Sequence, residues 1–277
     1  MMNEIFNLRR FGKYLSADIR MCWSNYGLSF IALSLLVPIA SYFLSIGLNI
    51  INTSIWNGPN LGFRLIVFGL AILGMVISMP VKCYGKITDK QYGSFWLSLP
   101  ASALEKMLSM VILTCIVAPI LGILIYLGTD TLICALDRTC GESLIAAAIE
   151  VHNTGLISQL SNLFTQAQLS SPWIWFDEIF CFTLPFLLGA IWFKKGKVVK
   201  TFIAIWIFSW VMGAVTAPFL INWAKEIEAA GDPNLIISQL VENGLIKNLA
   251  LVDTISDTLF NLARISGILF RIKTLKH

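Results

Sequence analysis

No charged side chain occurs between Arg20 and Arg64. A soluble fold interrupts its apolar runs with charge every turn or two. A run this long matches instead the roughly 20 apolar residues, each rising about 1.5 Å, that carry a helix across a hydrocarbon core of about 30 Å. The rest of the chain follows the same rule. Its 277 residues are 57% hydrophobic and 13% charged, with a mean hydropathy of +0.76, where soluble domains hold about 45–50% apolar and about 25% charged residues. Too little charge is present to cover a surface, which argues against both a soluble monomer and a disordered tail.

Hydropathy predicts an all-α, polytopic membrane protein, a single transmembrane domain over residues 1–277, with six spans at about 28–50, 62–81, 107–127, 173–193, 201–223 and 249–270. The second reaches spanning length if Arg64 snorkels at its start. The fourth carries Asp177 and Glu178 in its first turns, where an interface tolerates them. The sixth contains Asp253, Asp257 and Arg264, which at about 100° per residue share one helix face. Either the two aspartates lie at the outer interface and Arg264 snorkels, or the three form a polar stripe lining a path.

Charge orients these spans. With both termini inside, the inner segments hold 15 of the 20 Lys and Arg residues, a net +11 against −7 elsewhere. That excess is the positive-inside pattern and predicts an N-in, C-in topology. Aromatic residues fall at the expected boundaries, Trp23 and Trp192 near inner ends and Tyr126, Trp173 and Trp223 near outer ends.

Residues 4–23 place Ile5, Leu8, Gly12, Leu15 and Ile19 at steps of three or four among Arg9, Arg10, Lys13 and Arg20. This predicts an amphipathic helix lying in the inner interface. The segments 128–172 and 224–248 are outer loops, too long to be structureless. Ile145, Ile149, Leu156, Leu160 and Leu163 predict a helix in the first, and Asp232-Pro233 followed by Ile236, Ile237, Leu240 and Val241 one in the second. Cys134 and Cys140 lie in the first outer loop at a spacing compatible with a disulfide. Cys22, Cys83, Cys115 and Cys181 read as buried apolar residues.

The inner loop 82–106 contains LPASALEK. Pro100 disfavours helical geometry at Leu99, and Ser102 with Glu105 forms an S-x-x-E capping box that starts the third span. This leaves Tyr92, Phe95, Trp96 and Leu97 beside Lys86, Asp89 and Lys90, an aromatic cluster among charges suited to a protein contact or to packing on the membrane surface. Chemistry is poorly supplied. The chain has no P-loop, no H-E-x-x-H, no G-x-S-x-G and no C-x-x-C, and its histidines are His152 and His277.

The layout, with FGKYL and Arg20 near the N-terminus, LPASALEK before the third span and ILFRIKTLKH at the end, resembles the permease subunits of ABC-2-type ABC transporters. The LPAS-x-x-EK form is similar to their Bacteroidetes relatives. The resemblance implies a multi-pass protein of the cytoplasmic (inner) membrane, without enzymatic activity or cofactor of its own. Two permease subunits, identical or related, would join two ATPase subunits that hold ATP and Mg, with no nucleic-acid partner. It makes Lys86, Asp89, Lys90, Tyr92, Phe95 and Trp96 the ATPase-coupling element, and Leu99, Pro100, Ser102, Glu105 and Lys106 the motif leading into span three. Export is the implied direction. The alternatives are a membrane-bound enzyme using Asp253, Asp257, Asp177 or Glu178, and a non-transporting immunity or sensor component.

Overall fold

The computed structural model describes residues 6–53, 61–140, 142–147, 172–230 and 245–275, and among them it is all-helical, with no strand. The expected helices at 149–163 and around Asp232-Pro233 lie outside the described residues. Helix α1 (Leu8–Ile31) starts where Asn7 Oδ1 accepts hydrogen bonds from the backbone N–H groups of Arg9 and Arg10, a standard N-cap. It runs through a π-helical segment, Ala32–Leu36, into α2 (Val37–Thr53). Then follow α3 (Leu61–Tyr84), a 3-10 turn at Gly85–Thr88, α4 (Lys90–Ser98) and α5 (Ala103–Val111). A second π segment, Ile112–Val117, joins α5 to α6 (Ala118–Leu136); α7 (Pro172–Trp192), α8 (Lys197–Ala230) and α9 (Leu245–Thr274) complete the bundle.

Four helical runs are long and apolar enough to cross a membrane: Leu8–Gly47, Leu61–Thr88, Ala103–Leu136 and Lys197–Ala214; Phe180–Trp192 is a shorter apolar helix. They mark a membrane-embedded protein. Each range expected to span lies in a helix, except that α7 stops one residue early, at Trp192. Two helices overrun their expected outer ends, α6 to Leu136 and α8 to Ala230. For α6 the reason is visible, because Asp130, which should open a loop, is instead paired inside the bundle.

Both π segments have the same cause. Ala32–Leu36 is followed by Pro38 and Ile112–Val117 by Pro119. A proline inside a helix lacks an N–H and its ring pushes on the carbonyl four residues earlier, which widens the preceding turn. Ser34 Oγ donates to Phe30 O at 2.7 Å and Thr114 Oγ1 to Met110 O at 2.8 Å, back-bonds of the kind that bend helices.

The first helix corrects two expectations. No breaker separates residues 8–23 from the first span, so the segment is one continuous helix with it and not a separate interfacial helix. Its buried face is Phe11, Tyr14, Asp18 and Cys22, while Leu8 and Ile19 are exposed. The amphipathic pattern Leu8, Gly12, Leu15, Ile19 therefore does not mark the packed side. Helix α7 sits centrally, packed on α9, α3 and α8, with Leu184, Leu187, Ala190 and Ile191 fully buried. The turn into α8 uses Gly196 at φ +64°, a left-handed position suited to glycine at a helix end.

Candidate functional site

The densest polar cluster gathers where α1 begins, α3 ends and α4 meets α5. Ser102 caps α5: its side chain accepts from Glu105 N at 3.2 Å, and Glu105 Oε2 accepts from Ser102 N at 2.9 Å, the reciprocal capping box expected from S-x-x-E. Leu99 is extended, as Pro100 requires, and ends α4. The same carboxylate does more than cap. Glu105 takes Arg10 Nε at 2.8 Å and Arg10 Nη2 at 2.8 Å, and accepts from Asn7 N at 2.8 Å. One fully buried side chain thus joins the N-terminus of α1 to the start of α5.

Lys106 is the second joint. Its buried ammonium donates to Trp96 O at 3.0 Å and stands 4.7 Å from the Trp96 ring centroid, a cation–π contact in a desolvated place. Trp96 is fully buried. The aromatic cluster expected to form one docking face therefore divides. Phe95, Lys86 and Asp89 are exposed, Tyr92 is half-buried, and Trp96 anchors α4 in the core. The correction has a simple cause, since an indole on a nine-residue helix is the side chain able to fix that helix to the bundle. The Lys90 side chain lies outside the described residues. Lys197, at the start of α8, donates to Gly85 O and, at 2.9 Å, to Thr88 Oγ1, tying the 3-10 turn to α8.

Behind this lies Asp18, buried on α1 and not singled out by sequence reasoning. It accepts from Tyr84 Oη at 2.9 Å and Ser109 Oγ at 2.5 Å, so one carboxylate links α1, α3 and α5. Its Oδ1, Tyr14 Oη, Tyr92 Oη and Trp96 Nε1 are buried with no hydrogen-bond partner, and Tyr14 faces Asp18, Trp96 and Tyr92. Burial pushes the Tyr92 hydroxyl above the usual phenol range. The face follows i, i+3, i+7 and i+11 from Phe11, a helical spacing that apolar periodicity alone misses because it includes an aspartate.

At the opposite end of α3, Arg64 does not snorkel. It is buried and holds Asp130 of α6 through Nε at 3.0 Å and Nη2 at 2.6 and 2.5 Å, while Nη1 donates to Glu142 O at 2.9 Å. Asp130 also accepts from Leu144 N at 2.8 Å. Cys134 and Cys140 form a disulfide, with Cα atoms 5.0 Å apart, and Cys134 Sγ accepts from Arg64 at 3.1 Å. Tyr126, expected at an interface, is buried edge-on against Phe68 at 5.0 Å.

The stripe on α9 is only partly described: the side chain of Asp253 lies outside the described residues, as do those of Asp177 and Glu178 on α7, and Asp257 is half-buried. Arg264 is held between helices, Nη1 donating to Asn261 Oδ1 at 2.9 Å and to Cys181 O of α7 at 3.2 Å. It lines a cavity of about 470 Å³ between α7, α8 and α9. Among the described residues no group of three or more His, Cys, Asp or Glu side chains could hold a metal ion. No protein-family model, no curated protein and no solved structure matches this chain.

Proposed function

We propose that this chain is the membrane-spanning permease subunit of an ABC-2-type exporter, with six spans, both termini inside, and a cytoplasmic α4 that docks on a separate ATPase subunit holding ATP and Mg. A second permease subunit completes the transporter in the cytoplasmic membrane. The observation that carries the reading is the pair of joints at LPASALEK. Glu105 fastens α1 to α5, and Lys106 fastens α4 to α5, so a force on α4 reaches both long apolar helices at once.

Phe95, 59% exposed on α4, is the docking side chain in this reading, with Lys86 and Asp89 at its rim and Trp96 as the internal anchor. Tyr14, Asp18, Tyr92 and Trp96 form a buried polar cluster between α1, α3, α4 and α5. ATP would drive a conformational change through its different affinity for the two states of the complex.

The test is co-purification with a Walker-motif ATPase encoded beside this chain. Phe95→Asp is expected to lose the ATPase while retaining helicity and elution volume in detergent. An undiminished complex would remove the docking assignment.

A further inference from the structure

The cavity between α7, α8 and α9 is walled by apolar side chains including Pro185, Phe208 and Trp192, and Arg264 is its one charged lining residue. Its volume of about 470 Å³ falls in the range of small-molecule sites, about 300–1,000 Å³. It persists because α7 and α8 are held in register at a second point. Gly189 packs so tightly on Thr201 Oγ1 that a methyl group there would collide with it.

Arg264 spends only Nη1 on the protein; among the described residues Nε and Nη2 have no partner, and no carboxylate lies within salt-bridge distance. A cation at membrane depth with no counter-charge among the described residues marks a site of function. A second arginine shares its face. Arg271, seven residues and about 10 Å farther along α9, stacks on Trp192 at 5.6 Å, and its buried Nε also lacks a partner. Trp192 is a wall of the same cavity.

From this geometry we infer that the cavity binds a bilayer phospholipid with an anionic head group. One acyl chain lies along the apolar wall of Pro185 and Phe208, and the phosphate sits between Arg264 and Arg271. Charge complementarity selects the occupant: the free Nε and Nη2 of Arg264 suit a phosphodiester, which takes planar N–H pairs bidentately, and Arg271 adds a second positive charge nearby. Basic pockets between transmembrane helices hold anionic head groups by the same logic. The inference needs no ATPase and no particular orientation of the chain, so it stands or falls separately from the exporter reading.

The test is native mass spectrometry of the full chain in detergent, titrated in parallel with dioleoyl phosphatidylglycerol, dioleoyl phosphatidylcholine and oleate. Both lipids carry the phosphodiester, but the choline of phosphatidylcholine brings a like charge beside the arginines, so phosphatidylglycerol is expected to bind about ten-fold more tightly, a difference of about 1.4 kcal/mol. Arg264→Gln should erase that preference. Ala204→Trp, which fills the cavity without changing charge, should weaken phosphatidylglycerol binding even if Arg264→Gln fails to fold. Equal binding of the two phospholipids overturns the proposal. So does a preference that survives Arg264→Gln or Ala204→Trp but falls with Lys194→Gln, a surface lysine outside the cavity. Oleate bound more tightly than phosphatidylglycerol would make the occupant a free fatty acid and overturn the phospholipid assignment.

Discussion

Arg10 with Glu105 and Arg64 with Asp130 are the two arginine–carboxylate pairs among the described residues, and both close long loops, 95 and 66 residues in sequence. Each carboxylate also accepts from backbone N–H groups across an element boundary, Asn7 and Ser102 at Glu105, Leu144 at Asp130. They differ in the cation. The Arg10 side chain is 34% exposed, whereas that of Arg64 is 5% exposed. A guanidinium with water at its back gives up its partner at modest cost; one enclosed by protein leaves an uncompensated charge when its partner goes. The Arg64 end is thus a staple buried on both sides and reinforced by the Cys134–Cys140 disulfide, whereas at the Arg10 end the cation reaches solvent while the carboxylate stays buried.

The largest expected effect breaks the staple. Asp130→Asn should destabilise the protein by about 3–5 kcal/mol, the cost of stranding a buried charge. The double change Arg64→Met with Asp130→Leu should recover most of that loss, since an apolar pair of similar volume replaces a buried ion pair nearly neutrally. Equilibrium unfolding in mixed micelles measures both. A single substitution costing under about 1 kcal/mol would put Arg64 in the same class as Arg10.

The Arg10 end should respond less, and differently. Glu105→Gln removes a charge-assisted contact of about 1.5–3 kcal/mol, reduced here because Arg10 remains a third exposed. Its signature is salt. Raising ionic strength from about 0.05 to 0.5 M shortens the screening length several-fold, and should shrink the Glu105→Gln effect while leaving the Asp130→Asn effect in place. Equal salt responses would erase the distinction between the two ends.

The same contrast explains what could be read in advance. Helix positions were legible because crossing a bilayer depends on run length, and LPAS-x-x-E was legible because capping is local: Ser102 and Glu105 meet within one turn. Which face of each helix packs inward was not. In water, apolar periodicity points at the core; in a bilayer the outward face is apolar too, and polar side chains turn inward to find partners. Hence α1 buries Asp18 and Tyr14 and leaves Leu8 exposed. Arg64 was misplaced for a related reason, because nothing near it in sequence announces a carboxylate 66 residues away. Trp96 and Phe95 are neighbours of one composition, and only the placement of Lys106 over the indole separates anchor from surface.

A third contact places the comparison on a scale and has the smallest expected effect. Asp137, just beyond α6, accepts from Tyr42 Oη of α2 and from Thr139 N at 2.9 Å and Thr139 Oγ1 at 2.7 Å. The Tyr42 hydroxyl first, then Thr139, holds its carboxyl below the usual carboxylate range. A folded-state pKa below the unfolded one stabilises the fold at pH above the unfolded value, about 3.9, and that contribution disappears as pH falls through the folded value. Asp137 is only partly buried, so the gain is small, and Tyr42→Phe isolates it. Thermal unfolding should show the wild type slightly above Tyr42→Phe at pH 6, with the gap narrowing below about pH 4. A gap independent of pH would mean that Tyr42 acts by packing alone. The Arg64 end would then be held by its buried pair and its disulfide, without help from this partly buried carboxylate.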